Sequence, residues 1–259
     1  MLSKLLKHEF RATGRIMGPL YLVLLALSIC ANFSIRLLDS SDARFLNILG
    51  GLIMVLFVLC ITAVCIMTLV LMINRFRTNL LGDEGYVMFT LPVSVHEQVW
   101  SKIIVSVVWF IATGVAVCLA ALIAAFRVAY VGQIVEAIRE VMAHITAYYA
   151  INGVGFLLEF IVLCFVGIAS SCLQCYASMA VGHSFANHKT LLSVVFFFVF
   201  QFALQFLGLS GAFSFEGFNF GGPQAIHAFM LILIGLSAAV GAVFYIITTQ
   251  MLKKRLNLE

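Results

Sequence analysis

Few residues in this chain have the type and spacing to do chemistry, and most of the candidates fail on inspection. His96-Glu97-Gln98-Val99-Trp100 opens like the helix of a zinc protease, in which two histidines four apart hold the metal and the glutamate acts as base. Trp100 stands where the second histidine should be, so the zinc reading fails. Cys172-x-x-Cys175 has the spacing of a metal or redox pair, but no second ligand pair accompanies it. All seven cysteines fall in apolar runs, where a thiol behaves as a small hydrophobe. No Gly-x-x-x-x-Gly-Lys-[Ser/Thr] loop is present to cradle ATP phosphates. Acids within apolar runs reduce to Glu159, so neither a Ser-His-Asp set nor a carboxylate pair can be assembled. A carboxylate at membrane depth points to substrate or proton contact, although near the outer interface it is equally an interfacial side chain. The remaining chemistry is recognition. Between Asn74 and Lys102, Asp83 and Glu84 stand beside Tyr86, Met88, Phe89 and Leu91, more apolar surface than a solvated turn needs and of the types enriched at interfaces.

The elements that must position these residues are membrane helices. The 259 residues are 63% hydrophobic and 10% charged, with net charge +4, and mean hydropathy is +1.13. These values exclude a soluble globular domain and give no basic face for nucleic acid. The N-terminal Met1–His8 is too charged for the apolar core of a signal peptide, so the first hydrophobic segment is expected to stay. Runs long enough to cross a hydrocarbon core of about 30 Å cover Ile16–Ile35, Phe45–Ile73, Ile103–Phe126, Tyr148–Val181, Leu191–Leu209 and Ala225–Leu252. The fourth is overlong but has no turn residues, so one long or broken helix is expected there instead of a hairpin. An even number of spans puts both termini on one side. With the termini inside, Lys4, Lys7, Arg11, Arg15, Arg75, Arg77, Lys102, Lys189, Lys253, Lys254 and Arg255 are cytoplasmic, and only Arg36, Arg44, Arg127 and Arg139 lie outside.

Residues 2–16 carry a helical period. Leu2, Leu5, Leu6, Thr13, Ile16 and Met17 cover one face and Lys4, Lys7, His8, Arg11 and Arg15 the other, as in a helix lying in the headgroup layer. Glu9 points into the apolar arc and needs either a donor from a neighbouring loop or its own lysines beside it. A second amphipathic stretch is expected outside, at 127–147, with Ile134, Ile138, Val141 and Ile145 opposite Gln133, Glu136, Glu140 and His144. Residues 210–224, rich in Gly and Phe, are expected to form an external or re-entrant loop. Small residues recur at fourth positions in the third span (Ala112, Ala116, Ala120, Ala124) and in the sixth (Gly235 with Ala239, Ser237 with Gly241), spacing that lets helices approach whether within one subunit or between two.

The 74–102 loop has internal punctuation. Gly82 can end a helix continuing from the second span, and Asp83 can cap a short helix with Glu84 also favourable at its N-terminus. Pro92 stops that helix, and Ser94-Val95-His96-Glu97 fits a capping box that starts the next. The expected order is helix, turn, short helix, turn, helix.

Three segments carry a resemblance. Leu5–Arg15 (LLKHEFRATGR), Leu80–Ser94 (LLGDEGYVMFTLPVS) and the turn Gly182–Lys189 (GHSFANHK) together resemble type-two ABC exporter permeases of Gram-positive bacteria, and the six-span layout is similar throughout. The resemblance implies an all-α polytopic membrane protein in one permease domain covering 1–259. It would have an N-terminal elbow helix over residues 1–15 carrying Lys4, Lys7, Glu9, Arg11 and Arg15, and a cytoplasmic coupling helix over Asp83–Leu91. It further implies a second permease subunit, identical or homologous, and two separate ATPase subunits that bring ATP and Mg, this chain holding no cofactor and being no enzyme itself. The expected function is export of an amphiphilic or hydrophobic peptide, drug or lipid across a bacterial plasma membrane. Its competitors are a polytopic membrane enzyme, which would need clustered polar groups, and a non-transporting sensor subunit. A secondary transporter would normally carry several in-span ionisable groups.

Overall fold

Helices form wherever the apolar runs occur, because a backbone in hydrocarbon must satisfy its own N–H and C=O groups. The computed structural model describes residues 2–40, 44–82, 85, 93–126, 132, 135–137, 139–141, 143, 153–185, 187–215 and 223–254. Its elements are α1 (Leu2–Ser40), α2 (Arg44–Phe76) continued by a π-helical turn (Arg77–Leu81), α3 (Val95–Ala125), α4 (Gly153–Gly182), α5 (Lys189–Phe215) and α6 (Pro223–Lys254). No strand occurs among the described residues. Six of these helices are long and apolar enough to cross a membrane, so the chain is an all-helical, multi-pass membrane protein. Large apolar side chains such as Leu22, Phe33, Phe202 and Phe206 stand on the surface. That would be intolerable in water at this density but is what a lipid-facing bundle requires.

The fourth span is a single helix, as expected from its lack of turn residues. Two boundaries differ from expectation. Residues 2–15 do not form a separate element: α1 runs from Leu2 to Ser40 with Pro19 inside it. Nothing between Leu2 and Met17 breaks a helix, and a proline removes only one backbone bond when flanking turns are held by packing. At 1.5 Å per residue, 39 residues span about 58 Å, well beyond the hydrocarbon core. The amphipathic division survives inside this helix: Lys4, Lys7, Arg11 and Arg15 are exposed while Thr13 and Met17 are buried. Glu9, placed in the apolar arc by its position, is only 3% exposed. The second difference lies at the end of α5, which continues through Phe215 where a loop over 210–224 was expected. Ser210-Gly211 is weak in helix propensity, but six residues within reach of a continuing apolar helix keep their ladder bonds more cheaply than a loop could replace them. Residues 216–222 lie outside the described residues, and α6 begins at Pro223, which needs no N–H partner in a first turn. Of the external stretch 127–147, Gly132, Val135–Ala137, Arg139–Val141 and Ala143 are helical, with Glu136, Glu140 and Val141 exposed. Gln133, Ile134, Ile138, His144 and Ile145 lie outside the described residues.

The chain packs as two compact units, and the boundaries between them fall inside α2 and α3. One contains 3–72 and 108–138, and so α1, most of α2 and the second half of α3. Its core is Leu24, Ala31, Phe57, Val64, Ala116, Ala120 and Ala124. The row of alanines in α3 is therefore consumed by packing within the subunit. Hydroxyls tie the three helices. Thr68 donates to its own helix at Val64 O (2.8 Å), so it must accept from Thr113 (2.9 Å), and Thr113 in turn accepts from Tyr21 (2.7 Å). The Trp109 indole donates to Thr13 Oγ1 (2.8 Å), and Ser34 donates to Gly50 O (2.7 Å). Asn32 spreads its two amide hydrogens over the carbonyls of Ile123, Ala124 and Phe126 at the end of α3, where the Ile123 carbonyl also accepts the Phe126 N–H (3.2 Å).

The other unit contains 1–2, 73–107 and 139–259, with α4, α5 and α6 as its body. α4 packs against both α5 and α6. Contacts of α4 with α5 run antiparallel: Gln174 donates to Gln201 (3.0 Å), and a Cβ on Gly182 would lie 2.5 Å from Ser193 N. Contacts with α6 run parallel, Glu159 meeting His227 and Ser170 meeting Gly241. Buried Tyr176 stacks on Phe76 (centroids 4.1 Å apart, 7° between planes) and shares a hydrogen bond with Ser106 (2.5 Å). The phenylalanines of α5 divide by face. Phe196 and Phe200 turn into ring contacts with Phe185 and Phe244, whereas Phe198, Phe202 and Phe206 form an outward stripe at helical spacing.

Candidate functional site

The connection between α2 and α3 is built by two stops. After α2 the chain widens into the π turn, whose Asn79, Leu80 and Leu81 are buried; such turns concentrate at functional sites and have no simple sequence signature. Gly82 ends it in extended conformation (φ −96°, ψ −168°), where a Cβ would crowd Thr78 O at 3.1 Å. The Gly82 carbonyl then accepts the Gly85 N–H at 2.8 Å. At the far side the capping box is present: Glu97 N–H donates to Ser94 Oγ (3.2 Å), and Ser94 N–H donates to Glu97 Oε2 (3.2 Å). The expected contact residues between these stops, Asp83, Glu84, Tyr86, Met88, Phe89 and Leu91, lie outside the described residues, as does the short helix proposed to carry them.

Glu159 has a partner that the sequence reading missed. His227 Nδ1 lies 2.9 Å from both carboxylate oxygens. Glu159 is six residues into α4, about 9 Å along its axis, and His227 is four into α6, about 6 Å. Because the two helices run in parallel, these depths coincide. The side chains are 21% and 29% exposed respectively. The carboxylate accepts from Nδ1–H and so orients the ring with Nε2 on the far side, the arrangement by which carboxylates orient histidines in proton transfer. The available signal was His227 itself, an ionisable residue near the start of a span of the same direction.

The turn between α4 and α5 is close-packed. His183 N–H and Nδ1 both lie 3.0 Å from Met179 O, and Ser184 Oγ donates to Ala180 O (3.1 Å). His188 sits at φ +55°, a conformation non-glycine residues rarely adopt. Burial lowers the pKa of His183 below the ordinary 6.5, with Arg77 and Lys189 adding to the effect and the bond to Met179 opposing it. His96, the residue that failed as a zinc ligand, is gripped from α6: its Nδ1 is 2.7 Å from Tyr245 Oη and its Nε2 is 2.8 Å from Lys253 Nζ. Among the described residues no group of three or more His, Cys, Asp or Glu could hold a metal ion. Cys172 is buried and Cys175 half-buried. No protein-family model, curated protein or solved structure matches the chain.

Proposed function

We propose that this chain is the transmembrane permease subunit of an ATP-driven exporter in a bacterial plasma membrane, with both termini in the cytoplasm. The observation that best supports the reading is the pair of stops at Gly82 and at the Ser94/Glu97 capping box. They fix both ends of the segment whose sequence, Asp83–Leu91, resembles a coupling helix. On this reading Tyr86, Met88 and Phe89 dock on a separate ATPase that brings ATP and Mg. Closure of two ATPases on nucleotide then moves the coupling loops and changes which side of the membrane the interface between two permeases opens to. Residues 2–15 act as the elbow at the cytoplasmic face, with Lys4, Lys7, Arg11 and Arg15 toward anionic headgroups. The cargo is amphiphilic or hydrophobic. Glu159 with His227 is a polar contact in its path.

The test is purification of the chain from its native membranes followed by photolabelling with azido-ATP. A labelled P-loop subunit should accompany the chain, and the Tyr86/Met88/Phe89→Ala triple variant should lose it while still inserting, since loss of a buried aromatic anchor commonly costs about 2 kcal/mol or more. Retention of the labelled subunit by the triple variant would remove the docking assignment. Absence of any labelled subunit from the unaltered chain would remove the ATP-driven reading.

A further inference from the structure

We propose that His96, Trp100, Tyr245 and Lys253 form a binding site for the phosphate group of a membrane phospholipid, a site that stands whether or not the chain is an exporter. The argument is an accounting of donors. Lys253 can only donate, so at 2.8 Å the His96 Nε2 must accept. The ring proton is then on Nδ1, and Tyr245 Oη, 2.7 Å away, accepts it. Tyr245 therefore keeps its own O–H to give, and the Lys253 ammonium keeps two of its three N–H groups. The Trp100 indole adds a further N–H, its ring 5.8 Å from that of Tyr245. All the unspent groups are donors, one of them carries a full positive charge, and the only bond Lys253 makes among the described residues is to this histidine. Glu97, next to His96 in sequence, is occupied by the N–H and Oγ of Ser94. Such a cluster of donors matches an anion with several acceptor oxygens, and a phosphodiester supplies them.

Location selects the source of that phosphate. His96 is the second residue of one membrane-spanning helix and Lys253 the last of another. Trp100 is 48% exposed on the outside of the bundle. Tryptophan, tyrosine and lysine at the ends of spans sit at headgroup level, rings against the upper acyl chain and cations toward phosphate. The histidine has a defined task here: by bridging Tyr245 and Lys253 it holds the ammonium at one place on the interface, so that less side-chain freedom is lost when lipid binds.

The experiment uses Trp100 as reporter. The chain has two tryptophans, so Trp109→Phe leaves one indole at the site. In nanodiscs, brominated phosphatidylglycerol should quench Trp100 more than brominated phosphatidylcholine at equal mole fraction. The expected excess is about fivefold enrichment of the anionic lipid, the attraction of one interfacial lysine. Lys253→Gln should abolish the excess, and His96→Phe, which keeps the ring but not the bridge, should reduce it. Native mass spectrometry of the chain with both tryptophans in place should retain phosphatidylglycerol and lose that retention in Lys253→Gln, so a folding defect in Trp109→Phe cannot decide the matter. Equal quenching by both lipids together with equal retention would overturn the site. A saturable Trp100 response to inorganic phosphate in pure phosphatidylcholine, with no lipid preference, would assign the anion to solution and overturn the lipid proposal.

Discussion

The two compact units hold their helices together by different chemistry. In the unit of α1, α2 and the second half of α3, the hydrogen bonds described above between helices come from hydroxyls, an indole and an amide. The Tyr21–Thr113–Thr68 chain ends on the backbone at Val64: Tyr21 donates, and Thr113 and Thr68 each accept one bond and donate one. In the unit of α4, α5 and α6, neutral contacts of the same kind (Gln174 with Gln201, Ser106 with Tyr176) are joined by ionisable groups: Glu159 with His227 inside the spans, His183 with Ser193 at the α4–α5 turn, and His96 with Lys253 at the helix ends. Neutral hydrogen bonds in a membrane do not change with pH and contribute little individually, about 0.6 kcal/mol on average. Ionisable pairs cost more to bury and respond to protons and ions. The difference places permanent cohesion in the first unit and sensitivity to the surroundings in the second.

The largest effect should come from a backbone contact of the second unit. A Cβ on Gly182 would meet Ser193 at N (2.5 Å) and Cα (2.6 Å), atoms that cannot rotate away. Gly182→Ala should therefore open the α4–α5 hairpin at a cost of about 4 kcal/mol or more, in the range reserved for severe core defects. Gly114→Ala in α3, where nothing lies within 4 Å, should leave thermal unfolding in detergent unchanged or slightly improved. Similar melting temperatures for the two variants would break the contrast.

Next in size is the in-span pair. His227→Leu leaves the Glu159 carboxylate without its imidazole, and an in-span acid is penalised on the insertion scale by up to about 2.5–3.5 kcal/mol at a span centre and by less at the depth of Glu159, six residues into α4. The double variant Glu159→Gln/His227→Leu should recover most of the loss in membrane-inserted yield. Failure of the second substitution to rescue the first would show that the two groups are not coupled. Glu159→Gln alone should preserve yield while altering export or substrate-stimulated ATP hydrolysis, if the pair lies in a transport path.

Thr113→Val should cost less, about 0.6–1.7 kcal/mol, because Tyr21 and Thr68 both lose a partner but neither is charged. Its effect should be the same at pH 5 and pH 8. A pH-dependent penalty would contradict the division between the units.

The smallest effect is the titration of His183. Its folded pKa is lowered, so the unfolded chain binds a proton that the folded one resists. Above the ordinary value of 6.5 both forms are neutral and stability is flat with pH. As pH falls through that value stability declines, and the decline ends once pH is below the folded pKa. His183→Gln should flatten the dependence of unfolding temperature between pH 5 and pH 7. An unchanged slope in that variant would assign the dependence to another group.

Much of the fold was legible because hydrophobic length is a one-dimensional property. The apolar runs became helices over their described residues, and the expectation of one long or broken helix over Tyr148–Val181 is met from Gly153 on by a single helix. Local punctuation was legible too, at Gly82 and at Ser94/Glu97, since a cap is decided by residues three apart. The ends of α1 and α5 were not. Residues 2–15 and 210–215 carry composition that suits a surface helix or a loop, and whether they continue a neighbouring helix depends on what packs beside them. The Glu159 site was half legible: the acid was singled out, its histidine was not, because 68 residues separate them.

By itself the sequence determined that this chain lives in a membrane, how many helices it has to make and where their polar ends are. Those follow from the cost of exposing backbone and charge to hydrocarbon, which each segment meets alone. Only the tertiary structure decided that Ala116, Ala120 and Ala124 are spent inside the subunit, that Phe198, Phe202 and Phe206 face outward, and that His227 sits at the depth of Glu159 and His96 beneath Lys253. Those outcomes depend on which helices lie side by side and at what register. In an apolar bundle, periodicity cannot distinguish a face toward protein from a face toward lipid, since both are equally greasy.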